Sequence, residues 1–474
     1  MKQPVVRNID FSVLNKQSIE SIHEKSLHLM EKTGMRIVGE RSVVLLKKHG
    51  VVFDGDIGHI PPKLVEESLK AAPKELKLYT RDGAEAMTIT ATGRQCYFGT
   101  HADQLQFVDP FEHIVRPFKK ADIKTMCKTA SATDNIFFVL SVGLTADVNP
   151  KIQTQSTFIE TLRNFDKTVN FSSNDIESLQ DCIDIASDFA GGLNELQKKP
   201  FIFNYCEPIP PLMHPTESTE KLYISAQNRI PVVYMPYCMM GGTSPLSRVA
   251  SLVQCNAEAL TGLVLTQLVS EGAPFIYGAM PSIMDMKTMI GSYAAPEFHL
   301  NIAAMADLVD YYGLPFYGTA GCSDAKTLDV QAAAELSQQI FSTVLSKANL
   351  IHDVGVLDHC NSVSPEAVLL ASEIMDSCKT YALGVDMSEE NLGTDLIESV
   401  GHGGNYLTED HTLENYMSIW YPSYFSRKMD NPDKSEVLEL IQKKMRWIAD
   451  EYESPAPDKE AVKALDLWEK KILA

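Results

Sequence analysis

Tyrosine, phenylalanine, histidine and glycine gather at the ends of short apolar runs in this chain, and each type brings its own chemistry there. Tyr97, Phe98, Tyr205, Tyr234, Tyr237, Tyr277, Phe316 and Tyr317 each close such a run or lie beside its end. A ring of electron-rich faces around a water-poor cavity attracts a quaternary ammonium group, which offers no hydrogen bond and is held through cation–π contact. Residues along a strand alternate in direction, so about half of these rings are expected to face one side. Tyr97, Phe98, Tyr205, Tyr234, Tyr277 and Phe316 are the candidate ammonium-binding residues. Ordinary core packing is the competing role for any one of them.

His352 closes the run 349–352 and is followed by Asp353 and Gly355. A histidine there can orient a substrate carboxylate or move a proton near neutral pH, which makes it the candidate catalytic residue. The turn Met239-Met240-Gly241-Gly242-Thr243-Ser244-Pro245 offers backbone N–H groups where a helix is about to start. Such a turn binds anions, a carboxylate as readily as a phosphate, so Gly241, Gly242 and Thr243 are candidates for a substrate carboxylate. The competing role is a tight loop that needs glycine for its dihedrals. No Gly-Lys-Ser/Thr follows, so it is not a Walker loop. Among the acids near run ends, Glu207, Asp324, Asp329 and Glu335, Glu207 is the candidate substrate contact, with surface or helix-capping duty as the alternative. His352, His359 and Cys360 lie close in sequence, and Cys206, Cys238 and Cys322 are near run ends. Zinc sites usually show tighter, repeated ligand spacing, so no metal site is expected. His402 and His411 are expected to organise the loop that leads to the C-terminal helix.

The elements that must position these groups recur at intervals of roughly 30 to 45 residues, the spacing of strand-plus-helix units. The expected strands are 95–98, 137–141, 168–171, 201–205, 231–234, 274–277, 315–317 and 349–352. Helical segments such as 218–227, 247–271, 294–312 and 329–348 lie between them, as right-handed βαβ crossovers require. Alternation of this kind favours a closed (β/α)8 TIM barrel, with catalytic groups at the C-terminal strand ends; a doubly wound open sheet is the alternative. Residues 1–90 are expected to form an N-terminal helical cap ending in a short hairpin, 91–434 the barrel, and 435–474 a C-terminal helical extension.

The bulk properties narrow the function classes. The chain has 474 residues, 45% hydrophobic and 22% charged, an ordinary globular composition. Its net charge of −20 disfavours binding to nucleic acid or to an anionic membrane, both of which need clustered Lys and Arg. No run of about 20 consecutive apolar residues is present, and no apolar signal core follows Met1, so a cytoplasmic location is expected. Nine scattered cysteines without a C-x-x-C pair are expected to be reduced thiols.

Five segments in order, "YFGTHAD" (97–103), "MMGGTSPLS" (239–247), "YGTAGCSDAKTLDVQAAAE" (317–335), "IHDVGVLDHCNSVSPEAVLLASEIM" (351–375) and "GHGGNYLTEDHT" (401–412), resemble the trimethylamine methyltransferase superfamily. The resemblance spans nearly the whole chain and implies a corrinoid-dependent methyltransferase on a TIM barrel. The founding members carry pyrrolysine; this sequence has only the twenty standard residues and so resembles the non-pyrrolysine branch. That branch acts on quaternary amines such as glycine betaine, proline betaine, carnitine or γ-butyrobetaine. The resemblance therefore implies no tightly bound cofactor, a methyl acceptor cob(I)alamin on a separate cognate corrinoid protein, and a small quaternary amine as substrate. A homo-oligomer joined through the terminal helices is expected. The competing functions are a zinc-dependent methyl transfer on the same barrel and a non-catalytic betaine-binding homologue.

Overall fold

All eight apolar runs become strands: β1 (Gln95–Thr100), β2 (Ile136–Leu140), β3 (Thr168–Phe171), β4 (Ile202–Cys206), β5 (Val232–Tyr234), β6 (Phe275–Gly278), β7 (Phe316–Thr319) and β8 (Leu350–Val354). The computed structural model describes residues 4–9, 11–90, 93, 95–100, 103–428 and 436–473. Each strand is parallel to the next, and β8 pairs with β1 through Leu350↔Tyr97 and Ile351↔Phe98, so the sheet closes. Closure excludes the open doubly wound sheet. The strands are apolar on both faces because helices cover the outside and side chains fill the inside. Those helices are α1 (Lys120–Ala132), α2 (Gln153–Asn164), α3 (Ile176–Ala190), α4 (Thr216–Gln227), α5 (Arg248–Val269), α6 (Pro296–Tyr312), α7 (Val330–Leu345) and α8 (Pro365–Leu383). Helix α5 has the length and apolar composition to cross a membrane, but 83% of that stretch is buried within the protein.

Three rings identify the inner face. Phe138 of β2, Phe203 of β4 and Tyr317 of β7 meet with centroids 5.5 to 6.2 Å apart, although their strands are not neighbours. They can meet only in the barrel interior. Register then assigns the rest: Tyr205↔Val233↔Ile276 and Thr319↔His352 share the inner face, whereas Cys206↔Tyr234↔Tyr277↔Phe316 lie on the outer one.

The first ninety residues share this core. Val5–Val6 adds antiparallel to the start of β1, and Met35–Ile37 pairs with Met213–His214 from the β4–α4 loop. A hairpin of Glu75–Tyr79 and Glu85–Thr90 meets the N-terminal strand ends, where the Tyr79 carbonyl accepts from Thr168 Oγ1 at 2.7 Å. At the other end of the chain, α9 (Val437–Asp450) buries Ile441, Met445 and Ile448, and α10 (Lys459–Leu473) buries Leu465 and Trp468. Trp468 Nε1 donates to Asp188 of α3 at 2.8 Å. Between α8 and α9, no described residue from 384 to 428 is buried.

Candidate active site

A cavity of about 380 Å³ opens at the C-terminal ends of the strands. Three tyrosines line it from different sources: Tyr205 from the inner face of β4, Tyr237 from the turn after β5, and Tyr293 from the β6–α6 connection. Tyr237 and Tyr293 stack with centroids 6.0 Å apart and planes 19° apart, and Met280 joins the same wall. Tyr205 donates its hydroxyl to the Glu207 carboxylate, so an anion sits beside the rings. Burial, and then the charge of Glu207, push the Tyr205 phenol well above its usual range, which keeps it protonated and donating. Burial likewise pushes Tyr237 and Tyr293 upward. Aromatic faces with an adjacent carboxylate suit an organic cation that lacks N–H donors.

The opposite rim is polar. Ser172, Ser173 and Asn174 follow β3; Lys221 reaches over from α4 and donates to the Ser173 carbonyl. Asp103, after β1, accepts from Ser172 Oγ at 2.8 Å. Cys360 and Gln104 complete the wall between β8 and β1, with Gln104 Nε2 3.5 Å from Cys360 Sγ.

One layer beneath lies a fully buried group. His352 Nδ1 donates to the Gly318 carbonyl at 2.9 Å, since that oxygen can only accept. Its Nε2 is 3.2 Å from Asp353 Oδ1, and Asp353 also accepts from Thr319 Oγ1. The imidazole packs on Tyr317 at 4.7 Å and on Tyr205 at 6.0 Å.

Two features brace the mouth. Asp324 accepts from the Tyr293 backbone N–H at 2.9 Å and from Ser292 Oγ, and lies 3.2 Å from His359 Nδ1. Asp358, His359 and Cys360 have φ values of 54°, 53° and 71°, three consecutive residues in the left-handed region. That conformation costs roughly 1–2 kcal/mol per non-glycine residue, and surrounding contacts must hold it. Asp358 N–H donates to the Ala325 carbonyl at 2.8 Å, which ties this turn to the β7–α7 loop.

The structure brings only part of the expected set to this cavity. Tyr205 and Glu207 line it. Tyr97 points inward at the opposite end of the barrel, where its hydroxyl bonds the Thr88 backbone of the hairpin. Phe98 has the outward parity of its neighbour Ile351 and is buried. Tyr234 faces α5, with its hydroxyl 2.7 Å from His214 Nδ1. Tyr277 faces the same helix and donates to Asn256 Oδ1 at 2.5 Å. Phe316 is outward by register and buried. Strand alternation thus turns Phe98, Tyr234, Tyr277 and Phe316 away from the cavity, and depth along the barrel separates the inward Tyr97 from it.

The glycine turn is corrected too. The N–H of Gly241 is used by the Ser244 carbonyl, and those of Gly242 and Thr243 by the Met239 carbonyl, so no amide in it awaits an anion. A Cβ on Gly241 would lie 2.9 Å from Met286 Sδ, and one on Gly242 2.7 Å from the Met284 methyl. Glycine is needed there so that the hairpin of Ile283–Asp285 and Ile290–Ser292 can approach. Thr243 Oγ1 accepts from Met239 N–H at 3.0 Å and shapes the loop that carries Tyr237. His352 lies beneath the cavity, with no exposed surface, instead of lining it.

His101 and Ala102 of the first motif lie outside the described residues, and His402 and His411 are exposed in the 384–428 segment. Among the described residues, no three His, Cys, Asp or Glu side chains converge as a metal site.

Against known proteins, the family model for trimethylamine methyltransferase (MTTB) matches residues 1–471. Trimethylamine methyltransferase MttB of Desulfitobacterium hafniense is 30% identical over 399 residues, 84% of this chain and 80% of that protein. A glycine betaine methyltransferase of another D. hafniense strain is 28% identical over 458 residues, 95% of each chain. In structure, monomethylamine methyltransferase (MtmB) of Methanosarcina barkeri aligns over 98% of this chain and 95% of its own, with TM-score 0.50 and 14% identity, a likeness of fold. The full-length family match, together with a closed parallel barrel of the same architecture, establishes that this chain belongs to the trimethylamine methyltransferase family.

Proposed function

We propose that the protein transfers a methyl group from a quaternary amine of the betaine class to the Co(I) corrinoid of a separate partner protein. Glycine betaine, proline betaine, carnitine and γ-butyrobetaine are the substrates of this class. The observation that carries the reading is the cluster of Tyr205, Tyr237 and Tyr293 around Glu207 at the open mouth of the barrel. The similarity to a glycine betaine methyltransferase across 95% of the chain supports it.

The chemistry asks little of acid or base groups. A methyl on a quaternary nitrogen leaves a neutral amine when displaced: the N–C bond breaks with its electron pair on nitrogen, and a pair on reduced cobalt forms the new Co–C bond. The enzyme must fix the cation, aim one methyl outward and exclude water. Orientation of this kind supplies about 7–11 kcal/mol of a barrier. Tyr205, Tyr237 and Tyr293 hold the charge, and Glu207 balances it. His352, Asp353 and Tyr317 form the buried floor that fixes the Tyr205 ring. His352 is thus a positioning residue.

The corrinoid is the methyl acceptor and arrives on its carrier at the barrel mouth, so no resident cofactor is assigned. We place the protein in a reducing compartment, the cytoplasm, which its nine scattered cysteines without a C-x-x-C pair support. We also assign it to a homo-oligomer, supported by the apolar side chains left exposed along residues 384–428.

Incubating the purified protein with each betaine and a Co(I)-loaded carrier is expected to give the visible spectrum of methyl-Co(III). Binding without methyl-Co(III) would favour a non-catalytic homologue. Stoichiometric zinc required for turnover would favour the metal-dependent route.

A further inference from the structure

We infer that Lys221 and Ser173 form the anchor for a substrate carboxylate, across the cavity mouth from the tyrosine cluster. This rests on the cation-binding reading above and adds the second half of the ligand. Lys221 is half-buried on α4 and lines the cavity; its one hydrogen bond is donated to the Ser173 carbonyl, and it forms no ion pair with a described carboxylate. An ammonium has three donors, so two remain for a ligand. Ser173 is 7% exposed, lines the same cavity, and its Oγ has no hydrogen-bond partner. A buried hydroxyl without a partner is costly, and an incoming acceptor satisfies it.

Charge is divided across the mouth. Barrel order places Lys221 and Ser173 at the β3–β4 side, while Tyr237, Met280 and Tyr293 come from the β5 and β6 side. Tyr205 on β4 and Glu207 just after it stand between them. Two carboxylates also face the cavity: Glu207 is engaged by the Tyr205 hydroxyl, and Asp103 by Ser172. A bare cation would satisfy Glu207 and leave Lys221 and Ser173 unused. A zwitterion satisfies both ends, its ammonium beside Glu207 and its carboxylate on Lys221, so the anchor sets the orientation of the substrate.

The test compares two kinds of probe by calorimetry: the betaines glycine betaine and γ-butyrobetaine, which carry a carboxylate, and tetramethylammonium, which does not. A hydrogen bond to a charged group contributes about 1.5–3 kcal/mol, so Lys221→Met is expected to weaken betaine binding by about tenfold or more. It should leave tetramethylammonium binding equal or stronger, because a positive charge has been removed. Lys221→Arg is expected to retain most of the betaine affinity, and Ser173→Ala to weaken betaine binding alone, by less than Lys221→Met. Equal loss of both probes in Lys221→Met, or unchanged betaine affinity, overturns the anchor while the cage stands. If the unaltered protein binds neither probe, the cation-binding reading fails, and the anchor falls with it.

Discussion

At the scale of the residue, a tyrosine's role here is decided by which side of its strand it leaves. Tyr205 and Tyr234 sit on adjacent strands in similar apolar runs, yet one meets a cavity and the other a helix. A Cβ on Gly262 of α5 would lie 2.1 Å from the Tyr234 ring, so the helix gives up a side chain there to let the ring in. Tyr293 could not have been found from strand periodicity, because it stands on an inserted hairpin. A cation–π contact contributes about 0.5–2 kcal/mol. Tyr293→Leu is therefore expected to weaken binding of tetramethylammonium by that amount, and to leave its uncharged isostere neopentane-like ligands nearly unaffected. Equal losses, measured by calorimetry or competition, would mean that the ring only packs.

At the scale of the element, α5 ties together the loops after β4 and β5, the second of which carries Tyr237. Its Glu258 is fully buried, accepts from Leu212 N–H at 2.8 Å and from Gln254 Nε2 at 2.9 Å, and lies beside the Cys238 thiol. Burial pushes its carboxyl from an ordinary 4.5 up to about 7, with those three donors pulling the other way. The sign follows from proton binding: between these values the folded state holds a proton that the unfolded state has released. Stability from this group is full below about 4.5 and is lost as pH rises toward about 7. The upper bound is about 3 kcal/mol. Glu258→Gln is expected to flatten the melting temperature across that window and to raise it at pH 8. An unchanged pH dependence would remove Glu258 as its source.

At the scale of the whole molecule, the two chain ends behave differently from the segment before α9. The N-terminal ninety residues and α9–α10 are sewn into the barrel by shared core and by bonds such as Trp468 to Asp188 and Arg163 to Glu469, at 2.8 Å each. Residues 384–428 are not, and they leave Val385 85%, Leu407 78% and Met417 73% exposed. These exposed side chains are what the proposed homo-oligomer would cover. Sedimentation of the purified protein is expected to show more than one chain per particle, and the pair Leu407→Asp with Met417→Asp to shift it toward the monomer. A monomer before substitution would rule out the homo-oligomer.

The sequence by itself determined the eight strands, their order and the family, because buried parallel strands write continuous apolar runs and the five motifs recur in order along the chain. It also placed Tyr205 and Glu207 at the mouth, the first by its strand-end position. What only the tertiary structure decided was direction and convergence. Alternation sent Tyr234, Tyr277 and Phe316 outward; backbone carbonyls consumed the Gly241–Thr243 amides; and Lys221, Ser173, Tyr237 and Tyr293 met from four separate segments. Local pattern fixes which residues can be buried, whereas the closure of the barrel fixes which of them meet.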